Sequence, residues 1–119
     1  MSSFFRAIRF VWALPGTIFG LVVGATTFTL PSLRDGVILF NGTRGFAAIH
    51  RRLGFSAVTF GHVVIVNRPL DGTIWRHELA HVRQWETLGP LMFVLYPLAS
   101  VAGYRRNPFE AAARRRAGA

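Results

Sequence analysis

No charged residue falls between Arg9 and Arg34. Within that gap residues 10–30 are 21 positions, mostly Phe, Val, Leu, Ile, Ala and Gly. At about 1.5 Å per residue such a helix matches the roughly 30 Å of bilayer hydrocarbon. Whatever this chain folds into must bury the segment, in lipid or in a core. The expectation is an N-terminal transmembrane helix within residues 1–31, with Arg6 and Arg9 holding the N-terminus on the cytoplasmic side. Pro15 and Gly16 should bend or break the helix near its start and leave a cleaner run over 17–30. Gly16, Gly20 and Gly24, spaced by four, present a smooth face that a second helix could approach closely. The small residues of Val23-Gly24-Ala25 also fit a signal-peptide cleavage site, the competing use of such a stretch.

Beyond Pro31 short apolar runs alternate with Arg and Gly, and residues 32–119 read as one folded unit of α+β class. Residues 36–40 read as a strand ending in an Asn41-Gly42 turn. Residues 43–53 carry Phe46, Ala47, Ile49 and Leu53 at helical spacing, with Gly54 closing the helix. Residues 56–66 are β-branched and aromatic around Gly61, which predicts a long bulged strand or a tight hairpin. A helix should start at Asp71 or Thr73 and stop at Gly89-Pro90. Residues 91–104 form a second apolar helix interrupted by Pro97, and Asn107 opens a short Ala/Arg-rich helix.

Composition narrows the chemistry. There is no Cys, which excludes disulfides, thiolate metal sites and a cysteine nucleophile. All 14 basic side chains are Arg, which excludes Schiff-base and P-loop lysine mechanisms. The acids are Asp35, Asp71, Glu78, Glu86 and Glu110, so any metal must be held by His and carboxylate.

The informative segment is His77-Glu78-Leu79-Ala80-His81, a His-Glu-x-x-His pattern. Histidines four apart on a helix project from one face, near enough for both imidazoles to hold one Zn²⁺. Glu78 beside the first can serve as general base. For a chain with this His and Glu content the pattern arises by accident in only about 0.3% of cases, which favours a motif over coincidence. A catalytic zinc takes three protein ligands and keeps one position open. The remaining candidates are His50, His62, Asp71, Glu86 and Glu110. Glu86 lies about 140° round the helix from His81 and points elsewhere. His50 and His62 lie on other elements, where a lone His is more often structural. That leaves Glu110, which competes with a second role: Asn107, Pro108 and Glu110 also form a capping-box pattern at a helix start.

His77-Glu78-x-x-His81 followed by Glu110, with Ala113 three residues on, resembles the gluzincin branch of the zincin metallopeptidases. The resemblance covers mainly residues 56–116. It implies a minimal zincin-like domain in a small membrane-associated bacterial form, zinc held by His77, His81 and Glu110, and Glu78 activating water to hydrolyse a peptide bond. The partners it implies are a peptide or protein substrate and membrane lipid.

A geometric argument bears on both readings. If residues 88–103 crossed a bilayer as a helix, His81 and Glu110 would stand about 24 Å apart and could not share a metal. Pro90, Pro97 and a length below the usual span favour a fold-back, so the motif helix should pack antiparallel on the second apolar helix. Tyr104, or Tyr96, is placed to donate a hydrogen bond to a developing oxyanion. The strand over 62–66 offers an edge that an extended peptide could join. Trp75, Trp85, Leu79 and Val82 read as the buried side of the motif helix. The Arg clusters at 51–52, 105–106 and 114–116 suit solvent or lipid headgroups, and no nucleic-acid motif accompanies them. The alternative function is a non-catalytic membrane scaffold or assembly protein with a structural metal site; a basic lipid- or RNA-surface binder is a third.

Overall fold

The computed structural model describes residues 3–103 and 107–118. It is an α+β arrangement around one four-stranded mixed sheet of order β1-β2-β4-β3. The strands are β1 (Ser32–Arg34), β2 (Val37–Asn41), β3 (Ala57–Phe60) and β4 (Val63–Val66). The helices are α1 (Ser3–Trp12), α2 (Leu14–Ala25), α3 (Phe46–Arg52), α4 (Gly72–Leu88), α5 (Met92–Ala99) and α6 (Pro108–Ala117).

The break expected at Pro15 and Gly16 falls at Ala13, and the run expected over 17–30 ends at Ala25. The run divides at Ala13 into α1 and α2, bent by 57°, and no single helix among the described residues is long and apolar enough to cross a membrane. The cause is local. Pro15, in the first turn of α2, has no N–H to give the preceding turn, so α1 cannot propagate through it. At the far end the hydroxyls of Thr26 and Thr27 donate to the carbonyls of Val23 and Gly24 at 2.6 and 2.7 Å, closing α2 before Leu30.

The glycine stripe of α2 is used, Gly20 and Gly24 against the sheet and Gly16 against Trp85 of α4. A Cβ on Gly20 would stand 2.7 Å from Val63 Cβ, one on Gly24 2.5 Å from the Phe40 ring, and one on Gly16 2.5 Å from the Trp85 ring. Thr17, on the same face, accepts a hydrogen bond from the His62 N–H at 3.0 Å.

Side-chain alternation divides the sheet's two faces. Val37, Leu39, Val64 and Val66 pack with Trp75 and Val82 of α4. Phe40, Val63 and Ile65 pack on the other side with Ala47 of α3 and Val23 of α2. The period-two pattern of the strands therefore produces three layers. β2 and β4 run parallel, joined through α3, while β1 and β3 are antiparallel edges. Residues 32–34, to which the sequence reading assigns no strand, pair with β2 through Asp35-Gly36, both at positive φ (53° and 74°), the requirement of a tight I′-type hairpin. Residues 56–66 resolve into the tight hairpin, β3–β4, turning at Gly61 and His62.

Asp71 caps α4, its Oδ1 accepting from the Ile74 N–H at 2.8 Å, and Gly89 ends it at φ 55°. A short 3₁₀ turn over Gly89–Leu91 then folds α5 back. Pro90 and Pro97 imply this fold-back, and Phe93 and Tyr96 of α5 meet Trp85 and His81, but the helix packed most closely on α4 is α6 and not the expected second apolar helix.

Candidate metal centre

His77 and His81 lie one turn apart on α4, and α6 brings a third group to them. Glu110 Oε1 is 2.9 Å from His77 Nε2 and 3.0 Å from His81 Nε2, and the two Nε2 atoms are 3.2 Å apart. Side by side, the lone pairs of three such atoms repel one another, so a cation must sit among them, either a proton or a metal. Ligands about 2.0–2.1 Å from a tetrahedral Zn²⁺ lie about 3.3 Å from each other, so the triangle fits one ion with small adjustment. Glu78 is adjacent, with Oε2 4.0 Å from His77 Nε2. His77, Glu78 and His81 form a group that could hold a metal ion.

The surrounding shell orients these atoms. Gln84 Nε2 donates to the Phe109 carbonyl at 2.9 Å, which turns its Oε1 toward His81 Nδ1 at 2.8 Å. Nδ1 is then the donor to Gln84; in the neutral imidazole the Nε2 lone pair faces Glu110 and His77, and in the protonated one Nε2 donates to Glu110. Glu78 is 4% exposed, and its Oε1 accepts from Thr59 on β3 at 2.9 Å, leaving Oε2 on the His77 side. The Tyr96 hydroxyl of α5 donates to Glu110 Oε2.

Burial pushes the Glu78 carboxyl upward, and the positive character of His81 and His77 only partly offsets it. For His81 burial works against charge, but the Glu110 hydrogen bond and the Glu78 charge outweigh it and hold the imidazole above its ordinary value. Burial would raise Glu110 too; the hydrogen bonds from His77, His81 and Tyr96 overcome it and keep the carboxylate ionised well below its usual range.

Glu110 faces the histidines and does not turn back to close a capping box. The cap is Asn107 alone, whose Oδ1 accepts from the Phe109 N–H at 2.9 Å. Asn107 is fully buried, and its Nδ2 donates to Ser100 Oγ at 2.7 Å and to the Tyr96 carbonyl at 3.3 Å, tying the start of α6 to α5. The other ligand candidates are engaged elsewhere. His62 Nε2 pairs with Glu86 at 3.0 Å, His50 is stacked between Phe46 and Phe55, and Asp71 is the α4 cap. Tyr104, expected as an oxyanion donor, and Arg105-Arg106 lie outside the described residues. Gln84 and Thr59 were not singled out from sequence. Gln84 had only its position three after His81 as a signal, and Thr59 lies on another element, so nothing local reveals it.

A cavity of about 380 Å³ opens beside the centre, bounded by Phe60, Trp85, Phe93, Tyr96 and Pro97 and reaching Glu78, His81 and Glu110. Of the two edge strands, β3 is the one beside the centre, and it carries Thr59. β4 lies between β2 and β3, so the edge expected over 62–66 is already paired. Comparison with protein-family models, with curated proteins and with solved structures finds no match for this chain.

Proposed function

We propose that the protein is a zinc-dependent metallopeptidase of gluzincin type, hydrolysing a peptide bond at a membrane. The observation that carries this reading is the convergence of His77 Nε2, His81 Nε2 and Glu110 Oε1 within 3.2 Å, with the buried Glu78 beside them. His77, His81 and Glu110 would hold the zinc. Zinc bound there supplies Lewis acidity, making water acidic near neutral pH and polarising a carbonyl. Three candidate ligands from the chain beside a cavity match the catalytic rather than the structural pattern of zinc sites.

The rest is the work of the chain's own groups. Glu78 would take the water proton at Oε2, since Thr59 occupies Oε1, and pass it to the leaving amine. An extended peptide added to the free edge of β3 would run past Thr59 and Glu78 with one side chain in the cavity. Membrane association has the support of α1 and α2, a bent pair that is together long and apolar enough to meet a bilayer.

The test is Glu78→Gln in the full chain, assayed against a fluorogenic peptide library with zinc content measured in parallel. The expected result is full zinc content with cleavage lowered at least about a hundredfold. Cleavage at the wild-type rate would overturn the assignment. Full zinc with no cleavage by wild type would favour the scaffold with a structural metal.

A further inference from the structure

In α1, Phe4, Ala7, Ile8, Val11 and Trp12 recur at spacings of three and four, so at roughly 100° per residue they form one stripe. Together they line an open apolar groove. Phe4, Ile8 and Val11 of the stripe face away from the domain, while Trp12 at its end and Phe10 on the other side of the helix hold α1 to the protein, the Phe10 ring lying 5.1 Å from that of His62. Phe4, Ile8 and Val11 are 69%, 48% and 63% exposed. A helix on a surface bathed by water has the opposite polarity. Arg6 and Arg9 share the remaining arc of the helix.

Contacts tie α1 and α2 to α5. The Trp12 indole donates to the Thr87 carbonyl at 3.2 Å and lies against Gly89, which opens the turn into α5. Phe19 of α2 meets Phe93 of α5, ring centres 5.6 Å apart. α5 itself is divided lengthwise. Met92, Phe93, Tyr96 and Pro97 line the cavity beside the metal centre, while Val94 and Leu98, both 64% exposed, point the other way.

We propose that the α1 stripe and the outer side of α5 dock into the headgroup layer of an anionic phospholipid bilayer, the chain lying on the membrane and not crossing it. α5 is then both the lipid contact and a wall of the cavity, which places the site against the lipid surface. The occupant follows from charge. The chain carries +9, so a second copy brought to this face would bring like charge to like, whereas Arg6 and Arg9 meet anionic headgroups favourably. Packing of the α2 glycine stripe on the sheet also takes one side of that helix out of any lipid contact. The inference rests on the membrane part of the reading above and is independent of the zinc.

The test uses the full chain in flotation with phosphatidylcholine vesicles, with and without about 30 mol % phosphatidylglycerol. Two variants are compared, Ile8→Asp with Val11→Asp and Val94→Asp with Leu98→Asp, each checked for retained helicity because all four side chains point outward. Wild type should float with the anionic vesicles, at least about tenfold less with neutral ones, and each variant should lose at least about tenfold. Since the chain has no Cys, labels on Ile8→Cys and Val94→Cys add a depth measurement, and both should be quenched best by shallow bromolipids. No flotation of wild type would overturn the membrane reading as a whole. Flotation with deep quenching at Ile8, or with unchanged binding by both Asp variants, would leave membrane association standing and overturn this mode of it. Dimers that the Asp variants dissolve, without flotation of wild type, would assign the face to a second copy instead.

Discussion

The pair α4–α6 and the pair α1–α2 both come from signals visible in the sequence, a spaced motif in one and an apolar run in the other, yet they relate to their signals differently. In α4–α6 the spacing dictates the geometry. Residues four apart on a helix must share a face, so His77 and His81 meet wherever that helix lies, and only the third group needed the fold to bring it. In α1–α2 apolarity dictates burial but leaves the partner open. One side of α2 is buried against β3, β4 and Phe40, while α1 keeps its apolar stripe outside the domain. A pattern of chemistry transfers directly from sequence to structure, whereas a pattern of solubility transfers only as a demand.

The sharpest way to break the comparison is at the motif. His77→Ala or His81→Ala should abolish stable zinc binding in the full chain, read as metal content after gel filtration, because two ligands do not make a zinc site. Zinc content equal to wild type in either variant would show that the spacing had been misread.

A smaller effect is expected one layer out. Gln84→Ala frees the Nδ1 side of His81 and removes the link to the Phe109 carbonyl, and should weaken zinc affinity about 10–100-fold in a chelator competition, with the helices intact. An unchanged affinity would mean that α6 alone sets the imidazole.

The smallest effect concerns the other pair. Gly20→Ala forces a methyl against Val63 Cβ and the Phe60 backbone, and should cost about 1–3 kcal/mol in denaturant unfolding. Gly24→Ala forces a methyl against the buried Phe40 ring and should cost a similar amount. Were α2 a free membrane helix, both substitutions would be silent.

The limits of legibility have the same physical source. Helix α4, its Asp71 cap, its Gly89 end and the fold-back at Pro90 follow from rules that act within a few residues, and all were readable. So was the β3–β4 hairpin, in outline. The strand at 32–34 escaped because Ser32-Leu33-Arg34 is too short to show alternation, although the Asp35-Gly36 pair beside it is a hairpin signal. The division of residues 10–30 was only half legible. Pro15 marked a weak point, but the sheet that takes up the glycine stripe is made some 16 residues or more further along, beyond any local rule. Glu110 was ambiguous for the converse reason, since a helix N3 position explains a Glu without any metal. In the structure Asn107 caps α6 alone and the Glu110 carboxylate faces the two histidines.

Zinc stoichiometry in wild type and in Glu110→Gln therefore tests the account most directly, since the triangle of two imidazoles and one carboxylate is its centre. Measured by mass spectrometry of metal in the purified full chain, wild type should hold about one zinc per chain. Glu110→Gln should bind it at least about a hundredfold more weakly while keeping its circular dichroism, because the cap on α6 is untouched. Equal zinc in the two proteins, or none in wild type supplied with zinc, would contradict it.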